Sequence, residues 1–408
     1  MSEWSDTDFG KIPKNWNLMK IADIKGIDKR SIAMGPFGSN IKAENFVSSG
    51  VPIIRGTNLN YAKYVAGVFV YLTDEKADEL LGSNCRPGDL VFTHRGTIGQ
   101  VGLIPNNKYE RYVISQSGMK LTVNPTLIDN EYLFYFFKSE FGQFQILKYE
   151  SQVGVPSISN PLTSLKEIEI PVPPLPEQRA IAAVLSGLDD KIDLLHRQNK
   201  TLEAMVETLF RQWFVEEAEN DWKNGVLSDE FDFTMGQSPQ GTSFNQEGFG
   251  MPMFQGNADF EFRFPKERVF TTEPTRLAKK YDTLISVRAP VGAQNMAIKE
   301  CCIGRGVAAF RYKSNSGYYT YTYFKLRSLM KEIQQFNDEG TVFGSISKGD
   351  FEALEITIPS RTIIDSFESM TKPINDKIIE SCLQIQTLET LRDTLLPKLM
   401  SGAVRVAV

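Results

Sequence analysis

The sequence predicts an α+β protein built as an internal repeat, in which two similar mixed domains are each followed by one long helix. Three observations carry this. Short motifs recur in the same order at a spacing of about 190 residues, an arrangement that marks repeated architecture. Short β-type runs and turn signals share each copy with helical stretches. An apolar heptad follows each copy.

Met34-Gly35 corresponds to Met235-Gly236, and the segment VPIIRGTNL around Gly56 to MPMFQGNAD around Gly256. GDLVFTHRGTIG parallels YDTLISVRAPVG, so that Asp89, Arg95 and Gly99 fall on Asp282, Arg288 and Gly292. Ser157-Ile158-Ser159 parallels Ser345-Ile346-Ser347, and EIEIP ending at Pro171 parallels EITIP ending at Pro359, both at an offset of 188. Residues 1–173 and 221–360 are therefore the two domains, and 174–220 and 361–408 the two helices. Leu90-Val91-Phe92 and Thr283-Leu284-Ile285 read as strands, and Pro87-Gly88 as a turn. Glu131 to Lys148 and Tyr318 to Phe336 read as helices.

PVPPLPEQ, from Pro171 to Gln178, is a stiff boundary whose Pro176 suits a first helical turn. Beyond it Ile181, Leu185, Leu188, Ile192, Leu195, Asn199, Leu202, Val206, Leu209 and Trp213 alternate gaps of four and three. Advanced by 186, the frame lands on Phe367, Thr371, Ile374, Ile378, Ser381, Ile385, Leu388, Arg392, Leu395 and Leu399. A period of 3.5 residues is a coiled-coil seam, and two such helices in one chain are expected to pair with each other. Ile181 to Trp213 would span roughly 50 Å at about 1.5 Å per residue. Asn199 either fixes the register of this seam or marks a point where the helices splay. Its partner by frame, Ile385, is apolar, so no Asn-to-Asn pair is expected. The shared frame predicts pseudo-twofold symmetry.

Composition excludes several classes of function. No apolar run approaches 18 residues, and the N-terminus lacks a basic start and an apolar segment. This predicts neither a membrane span nor a signal peptide, and a cytoplasmic location. Cys85, Cys301, Cys302 and Cys382 show no C-x-x-C spacing, and the only histidines are His94 and His196. Buried reduced thiols are expected, and no metal site. No nucleophile elbow, P-loop or G-x-G-x-x-G is present, which predicts a chain without catalysis. Net charge is −5, with the acid excess on residues 174–220, where 5 Lys+Arg face 9 Asp+Glu. Phosphate neutralisation by this chain alone is accordingly weak.

Recognition remains. Two similar domains on a rigid spacer can read two sites at a set distance. Arg55, Asn58, His94 and Arg95 in the first domain, and Gln255, Asn257 and Arg288 in the second, are donors able to read base edges. Arg263, Lys266, Arg268, Arg276, Lys279, Lys280 and Arg288 form a local basic cluster that is either a phosphate-binding face or an ordinary solvated surface.

PPLPEQRAIAAVLSGLDDKI, from Pro173 to Ile192, and LRDTLLPKLMSG, from Leu391 to Gly402, resemble the specificity subunit of type I restriction-modification enzymes, and the resemblance covers essentially the whole chain. It implies two target recognition domains, each reading half of a split, asymmetric DNA sequence, with the two helices forming an antiparallel coiled coil that sets the unread spacer. It implies two adenine-N6 methyltransferase subunits as partners and two restriction subunits in the full enzyme. S-adenosylmethionine, ATP and magnesium would belong to those partners. Glu177, Gln178 and Arg179 would contact the methyltransferase. Gly154 to Ser159 and Gly340 to Ser347 resemble the family's DNA-facing loop, which adds Ser157 and Ser345 to the DNA-binding set. This chain departs from the commoner polar loop with Val155-Pro156 and Val342-Phe343. The second helix departs from P-L-P-E-Q-R at its start and carries Pro373, so it is expected to kink or begin late. The alternatives are a specificity partner of a fused restriction-methylation enzyme, and a coiled-coil scaffold that binds protein.

Overall fold

The computed structural model describes residues 4–7, 10–59, 63–106, 108–151, 154–219, 221–336 and 344–407. The chain forms two compact units, Met1–Leu194 with Gln386–Val408, and Leu195–Ile385. Each unit thus takes one globular domain and a portion of both long helices.

In the first unit one sheet has strand order 70–72, 51–54, 112–114, 84–85, and another 32–34, 118–121, 90–93, 101–103. The pair 51–54 with 112–114 is parallel, and its neighbours are antiparallel. Val51–Ile54 and Leu90–Thr93 are buried at every position, which explains why these strands read as short apolar runs without alternation. Against the second sheet pack six consecutive buried residues, Tyr132 to Phe137, with the Phe92 and Phe137 rings 4.8 Å apart. The expected helix over 131–148 is in fact two, Asn130–Lys138 and Glu140–Leu147. Ser139 takes an extended conformation, accepts the Gly142 N–H and caps the second segment.

The second unit repeats the plan. Its sheets have orders 244–245, 270–271, 251–254, 301–303, 277–278 and 231–235, 307–312, 283–286, 294–296. Here 251–254 and 301–303 are the parallel pair. The helix expected over 318–336 breaks at Leu329 into Tyr319–Ser328 and Met330–Gln335. The recurring Met-Gly has a steric cause in each unit. A Cβ on Gly35 would lie 1.8 Å from the Ser115 carbonyl oxygen, and one on Gly236 2.1 Å from that of Gly304. Only glycine permits that approach.

The long helices are Leu175–Arg211, followed by a π turn over Gln212–Glu216, and Arg361–Met400. The second begins at Arg361 rather than late. Pro373 is exposed, and the carbonyl it leaves without an N–H belongs to exposed Ser369. In the first unit Asp189 meets Arg392 at 3.0 Å and Glu177 meets Arg405 at 2.7 Å. In the second Asn199 donates to the Cys382 sulfur at 3.5 Å, and Phe210 lies 5.6 Å from Phe367. Within each unit the two chain segments therefore run antiparallel.

The heptad positions are buried or half-buried, with one drift. Ile192, Leu195, Asn199, Ile378 and Ile385 are buried, and Leu188, Leu202, Ile374 and Leu388 are half-buried. Towards the π turn, Val206, Phe210 and Phe214 are buried, and Leu209 and Trp213 are only partly so. A straight helix repeats every 3.6 residues, so a strict 3.5 frame slips around it. All four cysteines are free and buried. Among the described residues no helix is long and apolar enough to cross a membrane, and no group of three metal-ligating side chains occurs.

Candidate nucleic-acid interface

Three turns meet at one end of the first unit. Strand 51–54 delivers the turn Arg55 to Asn58, strand 90–93 delivers His94 to Gly99, and the segment 154–159 lies beside the latter. Gly96 N–H donates to the Pro156 carbonyl and Ile158 N–H to that of His94, both at 2.9 Å, so Arg95 and Ser157 face each other across a backbone bridge. Arg55 and Arg95 are exposed and line a cleft of ≈ 350 Å³ with Gly56, Thr57, Thr93, Thr97, Gln100 and Ser117. Two guanidiniums in a cleft also lined by hydroxyls and an amide suit an acceptor-rich surface such as base edges or phosphates.

The second unit builds the same bridge. Ala289 N–H donates to the Gly344 carbonyl and Ile346 N–H to that of Val287, both at 3.1 Å, which sets Arg288 opposite Ser345. The segment Gly304 to Gly306 lies between Arg288 and Gln255, since Val287 N–H donates to the Gly306 carbonyl and a Cβ on Gly306 would touch that of Gln255. Exposed Gln255 accepts the Ser238 hydroxyl at 3.0 Å, and half-buried Asn257 opens a single turn beside it. The tight turn after each arginine ends on Gly99 or Gly292, at φ 83° and 88°.

Two expected DNA contacts lie inside the fold. Asn58 is 1% exposed, accepts the Arg55 N–H at 3.0 Å and donates to the carbonyls of Ala66 and Val68 at 2.8 and 3.1 Å. Every polar atom of its amide holds the turn that presents Arg55. His94 is 7% exposed, with Nε2 at 3.1 Å from the Gln116 carbonyl. Burial lowers its pKa, so the ring is neutral and Nε2 is the donor.

The basic cluster also divides. Arg263 is buried against Glu203 at 3.1 Å, and Arg268 is held by Asp259 at 2.8 Å. Lys266, Arg276, Lys279, Lys280 and Arg288 are exposed. Arg276 lies at the Gln255 end, since its carbonyl accepts the Ile303 N–H. Lys279 and Lys280 lie at the other end of strand 277–278, beside Glu300, about 13 Å away at 3.3 Å per residue. Exposed Arg305 joins the Gln255 end, its N–H on the Ser238 hydroxyl. Arg305, absent from the expected set, stands between the paired glycines 304 and 306.

The motif expected to meet the partner also turns largely inward. Glu177 is 4% exposed and is gripped by the Arg405 guanidinium, with Trp16 Nε1 donating at 3.2 Å. Gln178 is fully buried, accepts the Asp129 N–H at 2.8 Å and donates to the carbonyls of Leu127 and Pro173. Only Arg179 of that triplet is exposed. Gly340 to Phe343 lies outside the described residues.

Comparison with known proteins gives one answer at every level. The family model described as type I restriction modification DNA specificity domain matches residues 13–204 and 219–381. The chain is 29% identical over 418 residues to the protein named as the MjaX type I restriction enzyme specificity subunit of Methanocaldococcus jannaschii, covering 98% of this chain and 96% of that one. It is 27% identical over 446 residues to the MjaIX specificity subunit of the same organism, covering 99% and 97%. In fold it is similar to the crystal structure of a type I restriction-modification S subunit from M. genitalium, with a TM-score of 0.64, 19% identity and coverage of 94% and 96%. The repeated domains, the paired helices and these matches together establish that the chain belongs to the family of type I restriction-modification DNA specificity subunits.

Proposed function

We propose that residues 1–173 and 221–360 are target recognition domains that each read one half of a bipartite, asymmetric DNA sequence, and that the long helices set the unread spacer with pseudo-twofold symmetry. One observation carries this reading. In both units an exposed arginine is bridged to a serine-bearing loop beside a second exposed side chain with fork geometry: Arg95 with Ser157 and Arg55, Arg288 with Ser345 and Gln255. Unlike side chains at equivalent places give unlike half-sites. Asn257, Arg276 and Arg305 extend the face of the second unit, and Lys279 and Lys280 reach phosphates further along the duplex.

The chain docks two adenine-N6 methyltransferase subunits and, in the full enzyme, two restriction subunits, working on DNA in the cytoplasm. S-adenosylmethionine, ATP and magnesium are bound by those partners. With a net charge of −5, the chain leaves much of the phosphate neutralisation to them. Glu177 and Gln178 support this docking from within by fixing the start of the first helix, and Arg179 is the member of the motif able to touch a partner.

The test is a binding assay on the complex with its methyltransferase, using Arg95→Ala and Arg288→Ala. Each variant is expected to relax base preference in one half-site alone, with each lost bidentate contact worth about 1–3 kcal/mol of discrimination. Binding indifferent to sequence in the unaltered complex would refute the reading.

A further inference from the structure

Lys63 and Arg263 occupy the same place in the two units. Leu103 N–H donates to the Lys63 carbonyl at 3.0 Å and Met296 N–H to that of Arg263 at 2.9 Å; the next residues, Ile104 and Ala297, donate to Asp89 and Asp282. Both cations are buried, 5% and 2% exposed. Both reach the first long helix. Lys63 Nζ lies 3.0 Å from Asp190 and bonds to Ser186, and Arg263 Nη2 lies 3.1 Å from Glu203.

Arg263, whose partner Glu203 is also largely covered, is not favourably placed for stability alone. A buried ion pair is commonly no better for stability than an apolar pair of the same volume, because desolvation offsets the attraction. Arg263 also sits at φ 67°, a backbone region that side chains other than glycine rarely adopt. Its Nε and Nη1 have no hydrogen-bond partner among the described residues. What such a pair supplies is direction. The Arg263 guanidinium lies 4.0 Å over the Tyr323 ring and pairs with Glu203, which Arg327 holds in turn at 2.7 Å, so ring and carboxylate together fix its position.

Each cation is tied in turn to the reading turn of its unit. Asn58 joins the Arg55 turn to Ala66, three residues beyond Lys63. Asn257 opens the loop that carries Arg263, and that loop is closed by the Lys266 N–H on the Asp259 carbonyl and the bridge between Phe260 and Pro265. We propose that Lys63 and Arg263 are positioning residues that hold the DNA-reading turn of each unit at a fixed place on the first long helix, and so set how strictly the complex demands one spacer length. This rests on the bipartite reading above.

The experiment measures methylation by the complete methyltransferase complex on duplexes carrying both half-sites with the natural spacer, or with one base pair more or fewer. Unaltered protein must first prefer one spacer; if it does not, the bipartite reading fails, and this inference with it. Arg263→Ala is expected to lower the preference for the natural spacer at least tenfold while base preference in both half-sites stays unchanged. Arg263→Lys is expected to recover part of the preference, and Lys63→Gln to act like Arg263→Ala. Should Arg263→Ala fail to assemble, Glu203→Gln reads the same ratio. An unchanged ratio, with methylation lowered equally on all duplexes, would overturn the proposal and leave these residues a structural role only.

Discussion

Asn58→Ala separates holding the reading turn from reading DNA. The side chain is 1% exposed and makes three hydrogen bonds, one from Arg55 N–H and two to the carbonyls of Ala66 and Val68. A net hydrogen bond contributes about 1 kcal/mol, and a buried group left without a partner loses more. Val68 is 83% exposed, so water replaces the bond to its carbonyl. The expected loss is thus about 2 kcal/mol, or roughly 4–8 °C in melting temperature for a unit of this size. Arg55→Ala should leave the melting temperature within about 1 °C, since it removes an exposed side chain. In a binding assay Arg55→Ala weakens discrimination in the first half-site. Asn58→Ala at a temperature where it is folded weakens binding without changing which bases are preferred. An Asn58→Ala variant that melts like the unaltered protein yet prefers different bases would show instead that Asn58 touches DNA.

Three further outcomes are expected. Arg405→Ala leaves Glu177 with Trp16 as its remaining partner among the hydrogen bonds described above; because the arginine side chain is 46% exposed, the loss in thermal denaturation should be only about 1 kcal/mol, and no loss would show that the grip is unimportant. Asn199→Leu replaces a fully buried amide whose oxygen has no partner among the described residues, so melting of the second unit should rise by a few degrees; a fall would mean that the Cys382 contact matters more than the unpaired oxygen. Burial pushes Glu368 up to about 6, against the N–H groups of Tyr321 and Thr320 that favour its charged form. The folded chain therefore binds the proton more tightly than the unfolded chain. That contribution is complete below about 4.5 and is lost as pH rises through 6, a change of about 2 kcal/mol that should be absent in Glu368→Gln.

The repeat and the heptad were legible because each is a pattern of residue types at fixed spacing, and Gly35 with Gly236 shows that the pattern has a steric cause in both copies. The helix breaks at Ser139 and Leu329 were not, because apolar spacing continues across both and the break is local: a hydroxyl cap at Ser139, and at Leu329 a turn of backbone. Residue type also hid the direction of side chains. Asn58, His94, Glu177 and Gln178 carry the chemistry of recognition and use it inside the fold, while Arg305 was passed over because its neighbouring glycines matched no phosphate motif. Arg263 shows the same limit, since a basic cluster counted along the chain includes a guanidinium that the structure buries on Glu203.

If this chain reads two unlike half-sites across a fixed gap, the methylation it directs is confined to one split motif. Mapping N6-methyladenine throughout a genome with and without this gene tests it most directly. Removing the gene is expected to abolish methylation at one asymmetric bipartite motif with a single unread spacer. Methylation that is unchanged, or that disappears from one continuous motif without a gap, would contradict it.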